Sequence, residues 1–286
     1  MIRFQKIVAV IVLIIFICGV ILPQEKDKNK NKVKNKMEEI MTIENIEDKI
    51  TEIEALIDEK DSYNSNQLSN IYKLYYKVLI NNGRYRKLLD ILSEYFDALN
   101  IQKPLIKAQV YNEVAFKLAT QNELIDESIN LAKKAFNIVK KQQKSQYNLG
   151  VEKWENNINI FLASIEDTLG LAYYKKGNYK KSEKMLKQSI KYLNNASEPY
   201  FHLGLVYTKQ NKLLEAYKQF LYAKYLIGTE VKDYEESINS VKSRLDLEKK
   251  EIEKINKDIS EDVKKIKGIG KNKKKDKPNN KDSYKD

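Results

Sequence analysis

Two stretches of this chain carry matching residues 34 positions apart, and that spacing limits the fold more than any other feature. Leu169-Gly170, Tyr173, Gly177-Asn178-Tyr179, Ser182, Leu186 and Ser189 form the first stretch. Leu203-Gly204, Tyr207, Asn211-Lys212-Leu213, Ala216, Phe220 and Ala223 form the second, every pair offset by 34. A constant period of this length describes a unit that leaves an apolar face bare until the next copy covers it. Within each copy the apolar and small residues recur three and four apart on either side of a turn, the pattern of two helices joined by a short connection. Breakers are few. The prolines stand far apart at Pro23, Pro104, Pro199 and Pro278, and only nine of 286 residues are glycine. The expected fold class is all-α.

The two stretches resemble the tetratricopeptide repeat, a helix–turn–helix unit of the same length. The resemblance implies an α-solenoid of stacked helical hairpins. The pattern assigns each residue a packing role. Gly170 and Gly204, like Ala216 and Ala223, remove bulk where paired helices approach. Tyr173 and Tyr207 fill the space between layers, Leu186 and Phe220 supply apolar knobs, and Gly177 can end a helix in the left-handed conformation. The sequence departs from the family at its leading tryptophan, replaced by Glu166 and Tyr200, and at its late proline, replaced by Asn194 and Gly228. Ser182 also stands where the family has a small alanine.

Weaker copies lie upstream. Tyr75-Tyr76, Leu79, Asn82-Gly83-Arg84-Tyr85, Leu88 and Leu92 keep the spacing with larger residues. Val114-Ala115, Leu118, Gln121-Asn122, Leu124, Ser128, Ala132 and Ala135 keep it with one extra turn residue. An irregular stretch around Trp154 reads as a lengthened helix pair. Four units span roughly 69–230, enough for a stacked array.

Amphipathic segments flank the array. Ile43, Ile46, Ile50, Ile53 and Ile57 alternate three and four apart, predicting a helix within 37–62. Val231, Ile238, Leu245, Ile252, Ile259 and Ile266 recur every seven residues, with Tyr234, Val241 and Ile255 three positions after their neighbours. That heptad predicts one helix over 231–266, able to cap the array, pair with another helix or self-associate.

The amino terminus has the layout of a signal anchor or signal peptide over 1–23: Arg3 and Lys6, then sixteen uncharged residues from Ile7 to Leu22, closed by Pro23. Bulky Val20, Ile21 and Leu22 leave no small-x-small cleavage site. Ile17 before Cys18 argues against lipidation of that cysteine. A charged, asparagine-rich run over 24–36 reads as a flexible tether. An Ile-, Lys- and Asn-rich composition suits an AT-rich bacterial genome. The expected location is membrane-anchored on the extracytoplasmic side of a bacterial inner membrane. The six lysines between Lys26 and Lys36 supply the opposite argument, for the cytoplasmic face.

The net charge of +12 belongs to the ends. Residues 1–36 carry +6 and residues 264–286 carry +7, leaving 37–263 at −1. The fold itself therefore offers no basic face for nucleic acid, and 267–286 reads as a disordered lysine-rich tail. An alternative function is polyanion binding through those basic ends, to anionic lipid, cell-wall polymer or nucleic acid.

Chemistry is sparse. One cysteine and one histidine, His202, give no cysteine-based zinc site, no histidine cluster and no base on which to build a triad. Gly268-Ile269-Gly270 lacks the spacing of a phosphate loop, and the carboxylates alternate with lysines as on a solvated helix face. The expectation is a non-enzyme with no cofactor and no metal, acting as a protein-binding scaffold. The resemblance implies that the first helix of each unit lines a groove for a polypeptide. By repeat register that lining is Asn112, Phe116, Asp167, Leu171, Tyr174, Lys175, Phe201, Leu205, Thr208 and Lys209. Asp167 and Leu171 stand where a clamp for a terminal carboxylate would need basic and amide groups.

Overall fold

The computed structural model describes residues 28–101, 103–143 and 150–272. The membrane segment read at residues 7–22 and most of the lysine-rich tail lie outside them. Among the described residues no helix is long and apolar enough to cross a membrane. Every regular element there is helical: α1 (Lys28–Thr42), α2 (Ile46–Asp58), α3 (Ser65–Asn81), α4 (Tyr85–Ala98), α5 (Pro104–Gln121), α6 (Ile125–Lys140), α7 (Val151–Lys175), α8 (Tyr179–Tyr192), α9 (Glu198–Lys209), α10 (Leu213–Ile227), α11 (Lys232–Lys242) and α12 (Lys249–Asn272), with one short 3-10 turn at Lys60–Ser62. The chain divides into two compact units, Met1–Tyr75 and Tyr76–Asp286, the division falling within α3.

In the first unit α1 packs against α2. The tether expected over 24–36 is helical from Lys28 onward. Its Lys and Asn residues include no Pro or Gly to break a helix, and Val33 and Ile40 are buried. The helix expected within 37–62 is also divided. Asn45 accepts hydrogen bonds from the backbone N–H groups of Glu47 and Asp48, capping α2 and leaving Ile43 in the connection. Ile50, Ile53 and Leu56 are the buried residues of α2, so the core face runs through Leu56 instead of Ile57. The Tyr75 hydroxyl donates to the Glu54 carboxylate within this unit.

In the second unit four hairpin turns repeat one geometry. The N–H groups of Arg84, Glu123, Asn178 and Lys212 donate to the carbonyls of Leu79, Leu118, Tyr173 and Tyr207, at 2.9, 2.9, 2.8 and 2.9 Å. Each bond spans six residues and closes around a left-handed residue: Gly83 at φ +67°, Asn122 at +59°, Gly177 at +79° and Asn211 at +58°. The turn between α5 and α6 adds a second such residue, Leu124 at φ +44°, which is the extra residue visible in the sequence. The acceptor carbonyls are 39, 55 and 34 residues apart, so only the last two hairpins keep the strict period.

The small residues act where the period placed them. A Cβ on Gly170 would stand 2.5 Å from Leu186 Cγ, and one on Gly204 would stand 2.5 Å from the Phe220 ring. Buried serines tie together the two helices of the α5–α6 and α7–α8 hairpins. Ser182 Oγ donates to the Gly170 carbonyl at 2.6 Å, Ser128 Oγ to the Ala115 carbonyl at 2.7 Å, and Ser189 Oγ to the Ala163 carbonyl at 2.7 Å. Neighbouring hairpins then stack: α7 packs on α5 and α6, and α9 packs on α7 and α8. The irregular stretch around Trp154 resolves as one lengthened first helix, since the 25 residues of α7 begin at Val151 and bury Trp154.

The single helix expected over 231–266 is two helices, α11 and α12, with a connection at 243–248. Val231, Tyr234 and Val241 stand 34 after Ser197, Tyr200 and Tyr207, so α11 takes the first-helix place of a further unit. Ile238, however, stands where Gly204 admits its partner helix. α12 packs along α10. Glu251 accepts from the Glu248 backbone N–H at 2.9 Å and starts α12, while Arg244 in the connection donates to Asn211 at 3.2 Å.

Candidate functional site

Repeat register sets the first helices side by side with equivalent positions aligned. Asp167, Leu171, Tyr174 and Lys175 on α7 match Phe201, Leu205, Thr208 and Lys209 on α9 at the 34-residue offset. Asn112 and Phe116 on α5 match Asp167 and Leu171 at 55, the interval between their hairpin turns. Direct bonds knit this row. Asn112 Nδ2 donates to Ser164 Oγ at 3.0 Å, joining α5 to α7. His202 Nδ1 lies 2.8 Å from Asp167 Oδ1, joining α7 to α9.

The ten expected lining residues are not equally open. Asp167 is 7% exposed and Leu171 4%, so both are covered where hairpins meet. Phe201 stacks on Tyr234 of α11, with ring centroids 4.4 Å apart and planes 20° apart, and also leans on Phe220. Leu205 is half-buried against the same cluster. Thr208 turns its hydroxyl back to the Gly204 carbonyl at 2.9 Å. Tyr174 is half-buried beside Tyr179, with centroids 5.9 Å apart. Asn112 and Phe116 are half-buried, while Lys175 and Lys209 are exposed. The face is thus a floor of inter-hairpin contacts, edged by exposed lysines at the carboxy-terminal ends of α7 and α9.

Two polar groups on the row have unusual electrostatics. Burial alone lowers the pKa of His202, but the charge and hydrogen bond of Asp167, helped by Glu198 and opposed by Lys175, leave it raised. The His202 side chain is only 12% exposed, so it serves as a bridge between helices rather than an open base. Glu166, where the family resemblance has tryptophan, is 5% exposed, and one of its carboxylate oxygens is buried with no hydrogen-bond partner. Burial pushes its pKa up to about 7, against the pull of Lys184 and Lys140. Asn112 Oδ1 is likewise buried with no hydrogen-bond partner beside the Asn112–Ser164 bond. Ser164 and Tyr234 were not among the expected site residues. Tyr234 carried a signal all the same, lying 34 after Tyr200.

A second concavity of about 410 Å³ opens between α4, α5 and α6 over Phe96 and Tyr111. Lys107 lies 5.4 Å from the Phe96 ring centre and Lys134 5.8 Å from that of Tyr111, so both cations already sit on aromatic faces.

No family model matches the chain, and no curated protein matches it. Solved structures similar to it include residues 41-end of MamA from Desulfovibrio magneticus RS-1, at 11% identity and a TM-score of 0.44, covering 71% of this chain and 97% of that one. BtubC (BKLC) from P. vanneervenii is similar at 11% identity and a TM-score of 0.48, covering 88% and 96%. TTC0263, a thermophilic TPR protein of Thermus thermophilus, is similar at 17% identity and a TM-score of 0.39, covering 73% and 98%.

Proposed function

We propose that the protein is a non-catalytic scaffold that holds a polypeptide along the row of first helices α5, α7 and α9. One observation carries this reading: three neighbouring first helices carry Asn112 and Phe116 (α5), Tyr174 and Lys175 (α7), and Thr208 and Lys209 (α9) on a connected floor, the α7 and α9 pairs in the same register. The aromatic, amide and lysine mixture suits a polypeptide with acidic side chains better than a small metabolite. The apolar run at residues 7–22 supports anchoring at a bacterial membrane, with the scaffold holding or stabilising an envelope protein on the extracytoplasmic side.

The test places a photo-crosslinking residue at Lys209 in the full chain and, as a control, at Lys218 on α10. Polypeptide adducts at 209 that are absent at 218, and that weaken when Lys175→Glu is added, are the expected result. Phe201 and Leu205 are poor probes because both help hold α9 to its neighbours. Adducts that disappear instead on removal of 264–286, and with added salt, would favour the polyanion reading. Protease accessibility of the repeats in sealed cells and in spheroplasts tests the side of the membrane.

A further inference from the structure

The heptad Val231, Ile238, Leu245, Ile252, Ile259 and Ile266 runs unbroken through the connection between α11 and α12. The stretch 243–248 contains neither glycine nor proline, so nothing in its chemistry forbids helix. The molecule nevertheless bends there and lays α12 along α10. Ile259 and Val263 are buried in that contact, with Ile252, Ile255 and Ile266 half-buried around them. Much of the remaining attachment is polar. Asn256 Nδ2 donates to the Tyr217 hydroxyl at 3.1 Å and the Tyr225 hydroxyl reaches Asn256 Oδ1 at 3.4 Å. The Tyr222 hydroxyl donates to Asp262 at 3.2 Å, and Lys267 Nζ donates to the Tyr225 carbonyl at 2.6 Å.

We propose that α11 and α12 are two halves of one helix folded back at 243–248, and that α12 exchanges between two copies of the chain. Straightening removes α12 from its own α10 and leaves Tyr217, Tyr222 and Tyr225 without these partners. The occupant that restores each of those contacts, isoleucine stripe and tyrosine–asparagine latch alike, is α12 of a second copy. Such an exchange changes only the connection and keeps the interface, which makes it a low-cost route to a closed dimer. The proposal does not depend on what the first-helix row binds.

The test uses the full chain in detergent, with the photo-crosslinker benzoylphenylalanine in place of Tyr222, opposite Asp262. Isotopically heavy and light preparations are unfolded, mixed and refolded, and crosslinks from position 222 to peptides of 249–272 are read by mass spectrometry. Heavy–light crosslinks that are lost in a Leu247→Pro variant, which bars a continuous helix but leaves the bend intact, support the exchange. Crosslinks confined to one isotope overturn it, and so do heavy–light crosslinks that persist unchanged with Leu247→Pro.

Discussion

Asp167 Oδ1 and His202 Nδ1 lie 2.8 Å apart and join the first helices of two neighbouring hairpins. The folded His202 holds its proton more tightly than an unfolded one, so its stabilising effect is complete below about pH 6.5 and is lost as pH rises through the folded value. Glu166 acts in the same direction. Its folded pKa of about 7 exceeds the ordinary 4.5, so stability falls as pH rises between those values and the buried carboxyl ionises. Glu183, whose carboxyl is held low by Lys187, Gln210 and Lys212 against its own burial, bears on stability only below its ordinary range. The urea midpoint is therefore expected to decline from pH 5 to pH 8, with the upper part of the decline missing in Asp167→Asn. A midpoint that climbs over that range contradicts the assignment.

Gly204→Ala drives a methyl group into the Phe220 ring, which is buried. Overpacking costs about 1–3 kcal/mol, and the better helix propensity of alanine returns about 1. A net loss of about 1 kcal/mol is expected from denaturant titration, and Phe220→Leu added to it should restore part. No loss at all would mean that α9 and α10 do not approach as described.

Ser182→Ala removes the donor to the Gly170 carbonyl inside the α7–α8 hairpin. The expected cost is about 1 kcal/mol, the ordinary net worth of a buried hydrogen bond. Ser128→Ala should cost a similar amount, because its bond to the Ala115 carbonyl is the equivalent one. Markedly unequal costs would argue against equivalent hairpins.

Asn256→Ala unlatches α12 from Tyr217 and Tyr225 while leaving α7 to α9 untouched. Amide hydrogen exchange is expected to quicken across 249–272 and to stay unchanged across α7–α9. Exchange that rises uniformly along the chain would show that α12 is integral to the stack.

The hairpins were legible because backbone geometry constrains them: a left-handed turn and a glycine at closest approach leave marks at fixed positions, as at Gly177, Gly170 and Gly204. The candidate face was legible only in register. Repeat position assigns Asp167 and Leu171 to the row, but not that packing from α9 covers Asp167, which depends on His202 lying 35 residues on. The bend at 243–248 was hidden for a different reason. It contains no glycine or proline, and the heptad runs through it without a break, so no local breaker marks it. Glu166 was visible as a departure from the repeat pattern, yet its burial and the charges of Lys140 on α6 and Lys184 on α8 near it are named by no local pattern. Similarly, Val33 and Ile40 draw a lysine-rich run into α1 although charge alone suggested a tether.

The unequal intervals of 39, 55 and 34 between turns that share one closing hydrogen bond have an architectural meaning. The bends keep nearly constant length while the first helices do not, from 25 residues in α7 to 12 in α9, so rod length rather than turn chemistry breaks the period. One bend thus serves rods of different reach.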